Sequence, residues 1–255
     1  MTFEEYLKVN GIRNDDYIYY FKKISSLINV EDQEQVNNYF LNLSKTASPS
    51  LFNMQLNTLR KYYEYKNLNI KLPKSRKVKE TLPEYIPYED LENEIFPMVD
   101  VLFKNPLKIK CIILFLFVTG IRKQALFFLK RKDFDLDKKF VKIFESKTQE
   151  EFIKPLTDDL IKYLRLYFSL EAEKDNAFNV QKTTIDKICR KLKPYYKKAN
   201  LHPHIFRVSL AVHLLKKGVD LRKIQKILGH KSIQTTAKYL KLKEEDIIEG
   251  YNNYF

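Results

Sequence analysis

The segment LHPHIFRVSLAVHLLKKGVDLRKIQKILGHKSIQTTAKYLKL, residues 201–242, sets His204 and Arg207 three apart behind a proline and places His230 directly after Gly229. Tyr239 follows nine residues beyond His230. The i, i+3 spacing puts His204 and Arg207 on one face of a helix expected through Leu215. A short amphipathic helix is expected from Val219 to Leu228, with Tyr239 near the end of a further element, Thr235 to Leu240. Two histidines, an arginine and a tyrosine form neither a metal cage nor a hydrolase triad. They suit a phosphate held by cations and attacked by a phenol. His202 lacks the offset to an arginine and His213 faces an apolar helical run, so neither is taken as a site residue.

Upstream, Leu107 to Val118 is an apolar run closed by Thr119-Gly120-Ile121-Arg122. It is expected to form a helix capped by Gly120, with Arg122 at the foot of a further helix, Lys123 to Leu129. Lys139 to Phe144 and Phe152 to Leu156 alternate apolar and polar residues around the polar stretch 146–151, the pattern of a β-hairpin. Helices are expected over Asp158 to Tyr167 and Thr183 to Tyr196. The second carries Lys187, Arg190, Lys191 and Lys193, followed by Lys197 and Lys198, against the single carboxylate Asp186. Such a basic face fits phosphate contact.

Residues 2–71 read as four short helices, with Tyr17, Tyr20, Phe21, Ile24, Leu27 and Ile28 recurring at helical spacing. Ser48-Pro49-Ser50 marks a helix start, and the helix that follows interleaves Arg60, Lys61 and Lys66 with aromatic residues. LPKSRKVKETLPEYIP, residues 72–87, holds three prolines and a burst of cations with little periodicity, and is expected to be a linker.

At 255 residues and 44% hydrophobic, the chain can bury a sizeable core in one large or two small domains. Lys+Arg 46 against Asp+Glu 32 gives +14, a balance that favours a polyanionic partner. Cys111 and Cys189 lack C-x-x-C spacing and are expected to be core thiols, with no zinc site or disulfide framework. No apolar run is long enough to cross a bilayer and the acidic start MTFEEYLK has no signal-peptide pattern, so a cytoplasmic location and no membrane partner are expected.

The order His-x-x-Arg, Leu-Gly-His and Thr-Thr-Ala-Lys-Tyr, with Thr-Gly-Ile-Arg upstream, resembles the signature of the tyrosine recombinases, or phage integrase family, of the Xer-like or archaeal type. The resemblance is strong over 119–240 and looser over 1–80. It implies a mainly α fold with a small β-hairpin or sheet. A SAM-like helical core-binding domain (1–72), a linker (73–87) and a catalytic domain (88–255, with a tail at 242–255) would form a two-domain clamp on double-stranded DNA. The catalytic set it implies is Arg122, Lys147, His204, Arg207, His230 and Tyr239. Tyr239 would be the nucleophile of a 3′-phosphotyrosyl intermediate and the arginines would hold the phosphate. His204 would handle the proton near the tyrosine, His230 would donate to a phosphate oxygen, and Lys147 would protonate the departing 5′ oxygen. Lys142 and Lys154 rival Lys147 on the hairpin.

The resemblance further implies no metal, no ATP and no other cofactor. Its homo-oligomer is a tetramer on two synapsed DNA sites, in which the apolar-studded tail docks on a neighbour, and an accessory protein has a place beside it. Ala125 and Val208 depart from the family pattern, which often has an acidic residue and a histidine there. The alternatives are a type IB topoisomerase, which nicks and reseals without synapsis, and a DNA-binding relative that has lost its chemistry and has no need of Tyr239 or His204.

Overall fold

The computed structural model describes residues 1–12, 15–78, 83–145, 150–171, 175–230, 232–237 and 239. The chain divides into two compact units, Met1–Thr81 and Leu82–Phe255.

The described residues of the first unit form four helices, three of them begun by a clear sequence signal. Thr2 and Glu5 exchange side-chain and backbone bonds in a capping box at α1 (Phe3–Val9). After α2 (Asp15–Ser25), Asp32 caps α3 (Gln33–Thr46), and Ser48 with Pro49 starts α4 (Pro49–Lys66). These helices bury Leu7, Ile24, Val36, Phe40, Leu56 and Leu59 at their centre, with Phe21 and Tyr62 in ring contact at 4.3 Å. The stretch expected as a linker is tied, in its first half, to this unit. Gln33 and Lys71 exchange bonds of 2.8 and 3.0 Å, and Asn53 clasps the Arg76 backbone from both sides at 2.7 Å. The Arg76 guanidinium donates to the carbonyls of Ser44 and Ala47 and lies over Phe52. It serves the unit's own packing.

In the second unit a short helix α5 (Tyr88–Asp90) runs through a π-helical turn (Leu91–Ile95) into α6 (Phe96–Leu102). Next comes α7 (Pro106–Thr119), which carries Lys108 and Lys110 near its start and is apolar on every side and buried from Cys111 to Phe117. A helix with no polar face must be enclosed, and α6, α8 (Asp158–Leu170) and α10 (Ile205–Lys216) pack around it. Cys111 and Cys189 are buried thiols, as expected, and burial pushes both up to about 12. The helix expected over Lys123 to Leu129 is instead loop with one 3-10 turn, Ala125–Phe127, which turns Ala125, Leu126 and Leu129 inward. The expected hairpin is present as β2 (Phe140–Glu145) and β3 (Glu150–Pro155), with a short unexpected strand β1 (Phe134–Asp135) completing an antiparallel sheet in the order β1-β2-β3. Its register sets Val141 opposite Lys154 and Ile143 opposite Phe152.

The helix expected from Thr183 to Tyr196 is shorter, α9 (Thr184–Leu192), because the chain must turn for Tyr196 to enter the core. Its basic residues Lys187, Arg190, Lys191 and Lys193 are all exposed, and Lys191 also donates to the Leu102 carbonyl and lies over the Phe103 ring. Two further helices are α11 (Leu221–Leu228) and α12 (Gln234–Ala237). Buried Ser209 on α10 accepts from the Ile86 amide at 2.8 Å, fastening the start of this unit to its centre. Asp90 accepts from the buried Tyr196 hydroxyl at 2.8 Å and from Lys198 at 3.2 Å. Because a hydrogen bond to a carboxylate is among the stronger kind, Tyr196→Phe is expected to lower stability by about 1.5–3 kcal/mol in urea unfolding; a change within experimental error would show that Lys198 alone satisfies Asp90.

Candidate active site

Two helices end on glycines in the left-handed conformation. Gly120 (φ 59°) caps α7 and Gly229 (φ 64°) caps α11, and the site residues Arg122 and His230 follow them closely. Arg207, on α10 and only 4% exposed, reaches both ends. Its Nη1 donates to the Gly120 carbonyl at 2.6 Å, and its Nη2 donates to the carbonyl of Leu228. Helix C-terminal carbonyls lack intrahelical donors and carry the negative end of the dipole, so a forked cation suits this position.

Arg122, Arg207 and Lys154 line one narrow cleft, whose remaining lining is Gly229 and the apolar side chains of Ile121, Ala125, Ile143, Phe152 and Leu228. Arg122 also lines a second hollow of about 370 Å³ with Lys123, Gln124, Asp186, His202, Pro203 and His204. There Lys123 and Asp186 pair at 2.9 Å, and the rings of His202 and His204 lie 6.4 Å apart. His204, at the N-cap of α10, is exposed to this hollow, so Arg122 stands between His204 on one side and Arg207 on the other.

The third part of the arrangement runs from His230 to Tyr239. Gln225 bonds both backbone groups of His230, at 2.9 and 3.1 Å, and the His230 Nδ1 lies 2.8 Å from the hydroxyl of buried Thr236 on α12. Tyr239, three residues further on and 1% exposed, packs with Val212, Leu215, Ile224 and Leu228. Burial pushes its phenol above the ordinary tyrosine range, and the charge of Arg207 acts in the opposite direction. A phenol under the field of a phosphate-type cation, with a second arginine on the same cleft, can become a nucleophile toward a phosphodiester.

Of the six residues expected from the sequence, Arg122 and Arg207 line one cleft, Arg122 and His204 line the neighbouring hollow, His230 follows the capped end of α11, and Tyr239 lies under the charge of Arg207. Lys147 lies outside the described residues, as does the tail 242–255. His213, set aside on sequence grounds, is half-buried with its ring 5.4 Å from that of Tyr88, and burial lowers its pKa. Sequence reasoning passed over the placement of Lys154, whose inward position on β3 follows from two-residue alternation with Phe152 and Leu156, and it left out His202.

The second unit is mainly helical with a small antiparallel sheet, and its cleft gathers three cations, Arg122, Arg207 and Lys154, as a site for an anionic group would. The chain belongs to the phage integrase family, the tyrosine recombinases: the family's model matches residues 89–246. It is 29% identical to tyrosine recombinase XerA of Pyrococcus furiosus, over 81% of this chain and 75% of that protein. With tyrosine recombinase XerD of Staphylococcus haemolyticus the identity is 31%, over 77% of this chain and 70% of the other. Among solved structures, XerH site-specific recombinase bound to palindromic difH substrate, in a post-cleavage complex, shares the fold with a TM-score of 0.70 and 20% identity. That match covers 88% of this chain and 72% of the other.

Gly120 gives a test of the shared anchor. A Cβ there would stand 2.7 Å from Leu210 Cδ2 and 2.9 Å from Leu228 Cδ2, at a φ that disfavours side chains. Gly120→Ala should cost about 1–2 kcal/mol from the left-handed backbone alone, read as a lowered melting temperature; an unchanged one would mean that α7 ends equally well in another conformation.

Proposed function

We propose that this protein is a site-specific tyrosine recombinase that cuts and rejoins double-stranded DNA through a 3′-phosphotyrosyl intermediate. The observation that carries the reading is the placement of Tyr239 under the charge of Arg207, in the unit that matches the family. Arg122 and Arg207 hold the non-bridging phosphate oxygens and offset the charge that builds up in the transition state. The Tyr239 oxygen attacks phosphorus and gives up its proton with the help of His204. The bond from phosphorus to the 5′ oxygen breaks, and that oxygen takes a proton from Lys147, while His230 donates to a phosphate oxygen. Reversal with another strand's 5′ hydroxyl rejoins DNA. The energy of the phosphodiester is kept in the covalent link, so neither ATP nor a metal enters the scheme.

Residues 1–72 act as the core-binding domain and 88–255 as the catalytic domain, joined through 73–87 and closing on duplex DNA as a clamp. Four protomers on two sites exchange strands, each lending its tail 242–255 to a neighbour. The protein works in the cytoplasm; no described helix is long and apolar enough to cross a membrane.

Covalent trapping tests this reading. Wild-type protein incubated in EDTA with fragmented, nicked genomic DNA and then denatured should retain DNA through a 3′ phosphate at a few defined sequences, and Tyr239→Phe should retain none. Attachment at scattered sequences would favour a topoisomerase of type IB, and binding without attachment would favour a relative that has lost its chemistry. With a net charge of +14, affinity for duplex DNA should fall steeply as salt rises, by a factor of about 10³ or more between 50 and 200 mM if some six phosphates are contacted. An affinity indifferent to salt would remove the phosphate-backbone mode of binding.

A further inference from the structure

A lysine on the inward face of a strand is an expensive choice. Lys154 follows Phe152 by two residues on β3, so both point the same way, and it is only 7% exposed. An apolar residue of similar length would fill the space with no charge to desolvate. What the lysine does there is visible in its bonding: its Nζ donates to the carbonyl of Ile227 and lies 5.7 Å from the centre of the Phe152 ring. Ile227 is in the last turn of α11, one residue before the carbonyl that Arg207 holds. Strand β3 and helix α10 thus each send a cation to the same helix end, where the dipole favours positive charge. Gly229 and Phe152 line the same cleft, and His230 comes next in the chain.

We infer that Lys154 is a positioning residue of the phosphate site, one that fixes the end of α11, and through it His230, against the hairpin. Its charge also lines the cleft with those of Arg122 and Arg207, where the apolar walls strengthen its action on charge that builds up in the transition state. This inference rests on the recombinase reading and is distinct from the proton donation assigned there to Lys147. It requires that loss of Lys154 slow the cleavage step rather than weaken DNA binding.

The test uses the full chain with Lys154→Met and Lys154→Arg, with two readouts. The first is the imidazole nitrogen signal of His230 in NMR. Lys154→Met should shift it and leave that of His213 in place, whereas an unmoved His230 signal in a folded variant overturns the positioning role whether or not the protein cleaves DNA. The second is single-turnover cleavage of a nicked duplex carrying a sequence recovered by wild-type trapping, made either with the natural 5′ oxygen or with sulfur at that bridging atom. Sulfur leaves without needing a proton donor. Lys154→Met should cut both duplexes more slowly by about tenfold or more, with the dissociation constant for DNA unchanged. Lys154→Arg, which keeps the charge, should recover part of the rate. If sulfur alone restored the rate, Lys154 would be the proton donor, and if the natural duplex were cut at the wild-type rate, it would have no part in the reaction; either result overturns the inference. A wild-type protein that forms no covalent adduct, beside a His230 signal that moves as expected, would overturn the recombinase reading and leave the structural role of Lys154 standing. Should Lys154→Met fail to fold, Lys154→Arg carries both readouts, a displaced His230 signal and slowed cleavage supporting the role of the ammonium at Ile227 and wild-type behaviour in both overturning it.

Discussion

A single guanidinium bonded to two helix ends organises the candidate site. Arg207 is buried, and a buried cation is costly unless its donors are used. Two of them meet carbonyls that their own helices leave without a partner, those of Gly120 and Leu228. Each of these carbonyls lies two residues before a candidate site residue: Gly120 before Arg122, Leu228 before His230. Fixing one side chain therefore fixes the approach of two others. Lysine could not serve as well, since an ammonium has no planar fork to divide between two acceptors.

The same economy extends to the tyrosine. His230 is fastened at its backbone by Gln225 and at its ring by Thr236, and Thr236 lies on the short element that leads to Tyr239. The phenol is enclosed by residues of α10 and α11, so two influences compete at its oxygen. Desolvation favours the neutral form and the charge of Arg207 favours the phenolate. Desolvation is the larger, so the phenol is held above the ordinary tyrosine range although the charge of Arg207 acts on it. Electrostatic help of this sort is worth most where water is excluded and the dipoles need not reorganise.

How much of this was legible in the sequence depended on the kind of signal. The helix ends were readable because glycine after an apolar run has one strong structural meaning, and Gly120 and Gly229 both carry it. The hairpin was readable from alternation, but the direction of Lys154 was not taken from the same alternation, since a lysine flanked by Ile153 and Pro155 looks like a surface residue by type. The segment Lys123 to Leu129 was expected to be helical from its composition. Its buried residues are spaced to fill a corner beside Arg122, and tertiary packing overrides so short a propensity. Arg76 lies in the cation-rich stretch expected to be a linker and Lys191 on the basic face of α9, and both are engaged with carbonyls and rings of their own unit. Charge counts along a sequence do not reveal which cations the fold has already employed.

A site assembled from helix ends is rigid, but it is also indifferent to base sequence. Arginines and histidines that hold phosphate oxygens position a duplex and carry no information about its bases. Selectivity for a DNA site must then reside in side chains away from this cleft that are able to reach base edges in a groove. On α4, Arg60 bonds Asn57 and Lys61 pairs with Glu64, both within one turn of the same helix, so these cations are held by local partners of modest strength. Exchanging such a partner for a phosphate or a base edge costs little, whereas Arg207 could not leave its two carbonyls without releasing both helix ends. The chain therefore carries two kinds of cation, Arg207 held between two helix ends and surface residues such as Arg60 and Lys61 held only by partners within one helical turn.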